Sequence, residues 1–146
     1  MPRIVALDIG DATVGVAATD ELQLVASPVR TLRRTRSVKQ DLEMVEKTIK
    51  ELEPCKVVVG LPLDQDGKEG PQAQKVKTFS NRLAQRLSIP VEFWDERYSS
   101  ADAEERLIEL DLSRVKRKQR IHAAAAAVIL ESYLRELEVK GRRKQG

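Results

Sequence analysis

A chain of 146 residues, 41% apolar and 34% charged, can bury one core and needs no second domain, so residues 1–146 are expected to fold as a unit. No apolar run approaches the ~20 residues of a membrane span and no basic stretch precedes one, which points away from membrane and exported classes and toward a soluble protein. The lone Cys55 cannot form an internal disulfide, in keeping with a reducing cytoplasm.

The first stretch, Arg3 to Ala17, holds two short apolar runs. Ile4 to Leu7 and Thr13 to Ala18 read as a hairpin at the centre of a covered sheet. Between them lies Asp8. An unpaired carboxylate in a central strand costs several kcal/mol, and no Lys or Arg stands close in sequence. Two readings follow. Asp8 binds a divalent cation, or it ends the strand and caps the turn through Gly10 and Asp11.

Gln23 to Leu32 alternates weakly around Pro28 and suits an edge strand. From Ser37, a plausible N-cap, to Glu53, the residues Val38, Leu42, Val45, Ile49 and Leu52 recur at helical spacing, and Pro54 stops the helix. Lys56 to Pro62 is a buried strand that opens into a Gly/Pro loop as far as Pro71. A helix over Gln72 to Leu87 and a strand over Ile89 to Trp94 follow, the latter delivering Asp95, Glu96 and Arg97 at its end. A further helix runs from Ser99 or Ser100 to about Leu110. The acid-free stretch Arg114 to Arg120 reads as a basic loop. Ile121 to Val139 is the last helix, with His122 in its first turn and a basic tail from about residue 140, after Gly141. This is an α/β chain with five strands in a mixed sheet and helices on both faces.

The net charge of +3 hides an uneven distribution. Arg30 to Lys39, Arg114 to Arg120 and Lys140 to Gly146 contain no acid and hold 14 of the 26 basic residues, leaving 12 against 23 acids elsewhere. Such patches suit a phosphate backbone; solvated loops are the plainer reading. In open α/β sheets, sites gather at the carboxyl ends of strands, where this chain places Asp8 and the pair Asp95 and Glu96. Clustered carboxylates bind Mg²⁺ or Mn²⁺, and such ions support phosphodiester hydrolysis. His122 at a helix start could aim its imidazole at the same ions or serve only as a packing residue.

These residues carry a resemblance. Asp8-Ile9-Gly10 with Gly15-Val16-Ala17, Gly60-Leu61-Pro62-Leu63 followed by Asp66-Gly67 and Gly70-Pro71, Asp95-Glu96-Arg97 with Ser99, and Ala126 to Tyr133 occur in the order and spacing of the YqgF family. Those Holliday-junction-resolvase-like proteins, also described as candidate pre-16S ribosomal RNA nucleases, belong to the RNase H-like superfamily. The resemblance implies an RNase H-like fold and a metal-dependent nuclease that matures the 5′ end of the pre-16S rRNA. By motif position it makes Asp8 and Glu96 metal-binding acids. Two departures stand out. Ala12 replaces a common basic residue, and His122 stands where the family's third acid opens the last helix.

The resulting expectation is a cytoplasmic nuclease with Asp8, Glu96 and His122 as catalytic metal ligands, Asp95 as a further candidate ligand, and Mn²⁺ preferred over Mg²⁺ because of the imidazole. Arg97, Arg114, Lys116, Arg117, Lys118 and Arg120 are the expected nucleic-acid contacts. RNA is the expected partner, within a pre-ribosomal particle or ribosome, with branched DNA and a homodimer left open and no membrane involved. Competing functions are a Holliday-junction or DNA-repair nuclease, a non-catalytic nucleic-acid-binding factor, and the phosphate loop of a sugar-kinase fold. The last needs two such domains to close on ATP.

Overall fold

The apolar run that begins the chain forms the middle strand of a five-stranded sheet. In the computed structural model, which describes residues 2–95 and 114–145 and the side chains of these except 114–121 and 139–145, β1 (Arg3–Ile9) pairs antiparallel with β2 (Thr13–Thr19). Strand β2 pairs antiparallel with β3 (Ala26–Arg33). On its other side β1 takes β4 (Pro54–Leu61) in parallel, and β4 takes β5 (Val91–Asp95), also in parallel. The order is β3-β2-β1-β4-β5, so the mixed sheet and its Pro28-bearing edge strand are as expected.

Strand alternation sorts the core into two layers. Val5, Leu7 and Ile9, with Val14, Val16, Leu32, Val57, Val59 and Leu61, face α1 (Val38–Leu52) and α2 (Pro71–Ala84), which supply Leu42, Val45, Ile49, Val76, Phe79 and Leu83. Ile4, Ala6, Ala17 and Val58 face the opposite way. They pack beneath α3 (Arg114–Gln145) through Ala126, Ala127, Ile129, Leu130 and Tyr133. The small residues of this helix let it lie close to the sheet. Tyr133 also ties it to the strands: its hydroxyl accepts from Lys56 Nζ at 2.7 Å and donates to Glu92 Oε2 at 3.0 Å, while its ring meets Trp94 edge-on at 5.4 Å.

Helix α1 starts as its sequence predicts, with Ser37 Oγ accepting from the Gln40 N–H, and it ends at Glu53, a non-glycine residue in the left-handed region at φ 50°. Two expectations about α3 are corrected. Arg114 to Arg120 is helix rather than loop, because Arg, Lys and Gln are good helix formers and the stretch has no Gly or Pro. The helix also continues past Val139 through Gly141 to Gln145. Cations near a helix C-terminus are favourable to the dipole and offset the weak propensity of one glycine. The helix expected from Ser99 to Leu110 lies outside the described residues.

Beneath α3, the Thr31 hydroxyl of β3 is buried with no hydrogen-bond partner among the described residues. Thr31→Val keeps the β-branched shape and removes an unsatisfied group. It should be neutral or stabilise by up to about 1 kcal/mol in denaturant unfolding, and a clear loss would show that the hydroxyl is satisfied after all.

Candidate active site

The alternation that buries Ile4 and Ala6 under α3 brings the next residue of that series, Asp8, to the same face at the carboxyl end of β1. Its side chain is only 15% exposed. The residue paired with it across the hairpin is Gly15. That glycine has a specific use. A Cβ there would fall inside the His122 carbonyl group and 2.8 Å from the Ala123 nitrogen, so the backbone of α3 rests directly on β2 at this point. His122 leads the face that continues through Ala126, Ile129 and Tyr133, one helical turn after another. The close approach therefore carries its ring to Asp8, with Nδ1 3.7 Å from Oδ2.

This separation is an ion-pair contact rather than a hydrogen bond of good geometry. The Asp8 carboxylate raises the His122 imidazole above its ordinary range, against the opposing effect of partial burial. His122 is not in the first turn of its helix, as expected, but in the third, since α3 starts at Arg114. The helix dipole does not aim the ring, because its influence fades beyond the first turn. Its place is set by packing at Gly15 instead.

The other expected ligands part company here. Asp95 follows Val91 and Phe93 in the alternation of β5, and these pack on the α1–α2 side, whereas Trp94 sits on the α3 side with its indole donating to Ser132 Oγ at 3.1 Å. Strand parity thus places Asp95 on the face opposite Asp8. Glu96 and Arg97 lie outside the described residues. Of Arg114, Lys116, Arg117, Lys118 and Arg120, the structure gives the helical backbone alone. Among the described residues no three His, Cys, Asp or Glu side chains gather as a metal site. Asp8 and His122 place an oxygen and a nitrogen close enough that they could share one cation, a donor set that fits a divalent ion only in part and would need at least one more acid.

A clamp that holds the hairpin beside Asp8 has only a faint sequence signal. Arg34 donates from Nη1 to the Gly10 carbonyl at 2.8 Å and from Nε to Asp41 Oδ2 at 3.0 Å, with its guanidinium 4.7 Å from the Phe79 ring centre. The Arg34 N–H donates to the Ala12 carbonyl at 2.8 Å. Burial pushes the Asp41 carboxyl up, but the Thr35 N–H, Arg34 and the Thr35 hydroxyl outweigh it and leave Asp41 below the usual carboxylate range. Arg34 and Asp41 stand seven positions apart. The first-turn acid of α1 was there to be read, and its partner was not.

The family follows from comparison with known proteins. A family model described as RuvX, Holliday junction resolvase, matches residues 2–136. The chain belongs to the RuvX family. A protein of Caldanaerobacter subterraneus subsp. tengcongensis named "Putative pre-16S rRNA nuclease" is 46% identical to this RuvX-family chain over 133 residues, covering 90% of it and 95% of the relative. One of the same name from Clostridioides difficile is 46% identical over 132 residues, covering 90% and 93%. The fold is that of RuvC: the Thermus thermophilus protein solved in complex with a Holliday junction substrate superposes with a TM-score of 0.59 at 16% identity, over 88% of this chain and 90% of that one. The expected RNase H-like architecture and YqgF-type membership stand, and this RuvX-family chain is a member of a family of nucleases.

Proposed function

We propose that the chain is a metal-dependent nuclease that hydrolyses phosphodiester bonds in structured nucleic acid, with the 5′ end of the pre-16S rRNA in a pre-ribosomal particle as its substrate. One observation carries this reading: a sheltered Asp8 in the central strand of a RuvX-family sheet faces His122 across a gap of 3.7 Å. A carboxylate so placed adds nothing to the apolar layer around it. Its use is to bind charge. The names of the relatives support RNA, and the cytoplasm is the compartment that contains this substrate.

Asp8, Glu96 and His122 would hold the cation, which when bound supplies an activated water and stabilises the leaving oxygen. The chain's own part is to fix and sort protons. Asp8 is held by the strand ladder, and His122 is held by the packing of α3 on Gly15. His122 must be neutral to act as a ligand, and its proton is favoured by the same Asp8 carboxylate. Divalent-ion affinity should therefore fall with pH as the medium passes below a range somewhat above the ordinary histidine value of 6.5. Arg97 and the basic residues of α3's first turns, Arg114, Lys116, Arg117, Lys118 and Arg120, would contact substrate phosphates.

His122 makes Mn²⁺ the preferred ion, since Mg²⁺ favours all-oxygen sites and Mn²⁺ accepts a mixed set. In a metal-titrated assay on linear RNA, single-stranded DNA and a four-way junction, wild type should cleave RNA best and be more active with Mn²⁺. His122→Asp should shift the preference toward Mg²⁺, and His122→Ala should weaken activity with both. Equal rates with the two ions and a silent His122→Ala would remove His122 from the site. Cleavage of the junction alone would turn the reading to a resolvase, the activity in the family's description.

A further inference from the structure

Resting on the nuclease reading, we propose that Arg33 and Arg36 form a phosphate track that leads the substrate strand away from Asp8 over the end of the β1–β2 hairpin, with Arg33 as a positioning residue for the reaction. The first acid-free stretch holds Arg30, Arg33, Arg34, Arg36 and Lys39, and the fold divides these cations between different tasks. Arg34 is spent on the clamp to Asp41 and Gly10. Arg30 pairs with Glu51 of α1 at 3.8 Å. Arg33 and Arg36 are exposed and make no ion pair among the described residues.

Register decides which face Arg33 serves. Val14 pairs with Leu32, both in the layer under α1 and α2, while Thr13 pairs with Arg33 on the opposite face. That is the face of Asp8. The row Asp8, Gly15, Thr31 crosses β1, β2 and β3, and Arg33 lies two residues further along β3. From strand spacing and rise its Cα is about 12 Å from that of Asp8, toward the open end of the sheet. A long guanidinium side chain on that spot reaches a phosphate a nucleotide or two from the bond at Asp8. Arg36 follows at the turn into α1 and continues the positive strip round the edge. The nearby acid of the hairpin turn, Asp11, is engaged with Lys75 of α2 at 3.6 Å. Cations without an ion-pair partner among the described residues, set about 12 Å from the carboxylate, favour a polyanion that passes over this face. A nucleic-acid strand is that polyanion, and guanidinium is the group that grips its phosphates.

The test is equilibrium binding of fluorescently labelled single-stranded RNA to the full chain without divalent ions, across a salt series, followed by steady-state cleavage with Mn²⁺. Arg33→Ala with Arg36→Ala should lower the log–log salt slope by about 1.4, at ~0.7 per single-strand phosphate contact. KM should rise severalfold with kcat little changed and thermal stability unmoved. Arg33→Lys in the Arg36 background should recover most of the slope, and Arg30→Ala should leave it as in wild type. If wild type binds RNA and the double variant keeps the full slope, the track is wrong and the nuclease reading stands. If wild type binds neither this RNA nor a labelled four-way junction, the nuclease reading fails and takes the track with it.

Discussion

Replacing Gly15 with alanine should destabilise the fold by about 3 kcal/mol or more, at the upper end of what overpacking costs, and should open the gap between His122 and Asp8. The reason is that the atom added at this position meets backbone on the far side. Its neighbours are the His122 carbonyl and the Ala123 nitrogen, not the tip of a flexible side chain. Strand β2 lies inside the sheet between β1 and β3, so it cannot retreat. The relief must come from α3, which would have to lift off the layer that holds Ala126, Ile129 and Tyr133. A domain of this size should lose roughly 10 °C in melting temperature, since each kcal/mol is worth a few degrees. Activity should fall with it even well below the melting point. A Gly15→Ala protein with the melting temperature and cleavage rate of wild type would mean that α3 does not rest on β2 as described.

Asp8→Asn should abolish cleavage, by at least about 10³-fold if removal of a principal charged ligand resembles the loss of a key electrostatic group in other enzymes. The amide keeps the size of the carboxylate and little of its affinity for a cation. Its effect on the metal-free protein should depend on pH, because Asp8 faces an imidazole. The His122 pKa is raised in the folded state, so the pair adds stability that is fully present below the unfolded value near 6.5 and disappears as the pH rises through the higher folded value. Metal-free Asp8→Asn should therefore melt below wild type at pH 5.5, and the two should converge at pH 9. Partial exposure of the ring keeps the difference small. A gap that widens toward alkaline pH would contradict the pairing.

Most of the fold could be read from the chain because its signals are local. Val38, Leu42, Val45 and Ile49 declare α1, Ser37 declares its start, and the apolar runs around Asp8 declare the central hairpin. Asp8 itself stood out because a carboxylate in a buried run breaks the pattern. What could not be read depended on register and on helix length. Strand parity puts Asp95 on the face opposite Asp8 and splits Arg33 from Arg34, and neither fact follows from spacing without knowing which neighbours are buried on which side. The start of α3 is hidden because an acid-free basic run resembles a loop in charge, although its residues favour helix. Gly15 was visible only as part of a motif. Its reason, the helix backbone lying against it, is a tertiary contact between residues more than a hundred positions apart.

The most direct test of the central claim, that Asp8 anchors a metal-dependent cleavage site, is the rate of cleavage of an end-labelled RNA spanning a pre-16S 5′ end as Mn²⁺ is titrated, for wild type and Asp8→Asn purified side by side. Neither protein should cleave in chelator, wild type should show a saturable rise, and Asp8→Asn should show no rise at any metal concentration. Cleavage by Asp8→Asn at the wild-type rate, or by wild type in chelator, would contradict that claim.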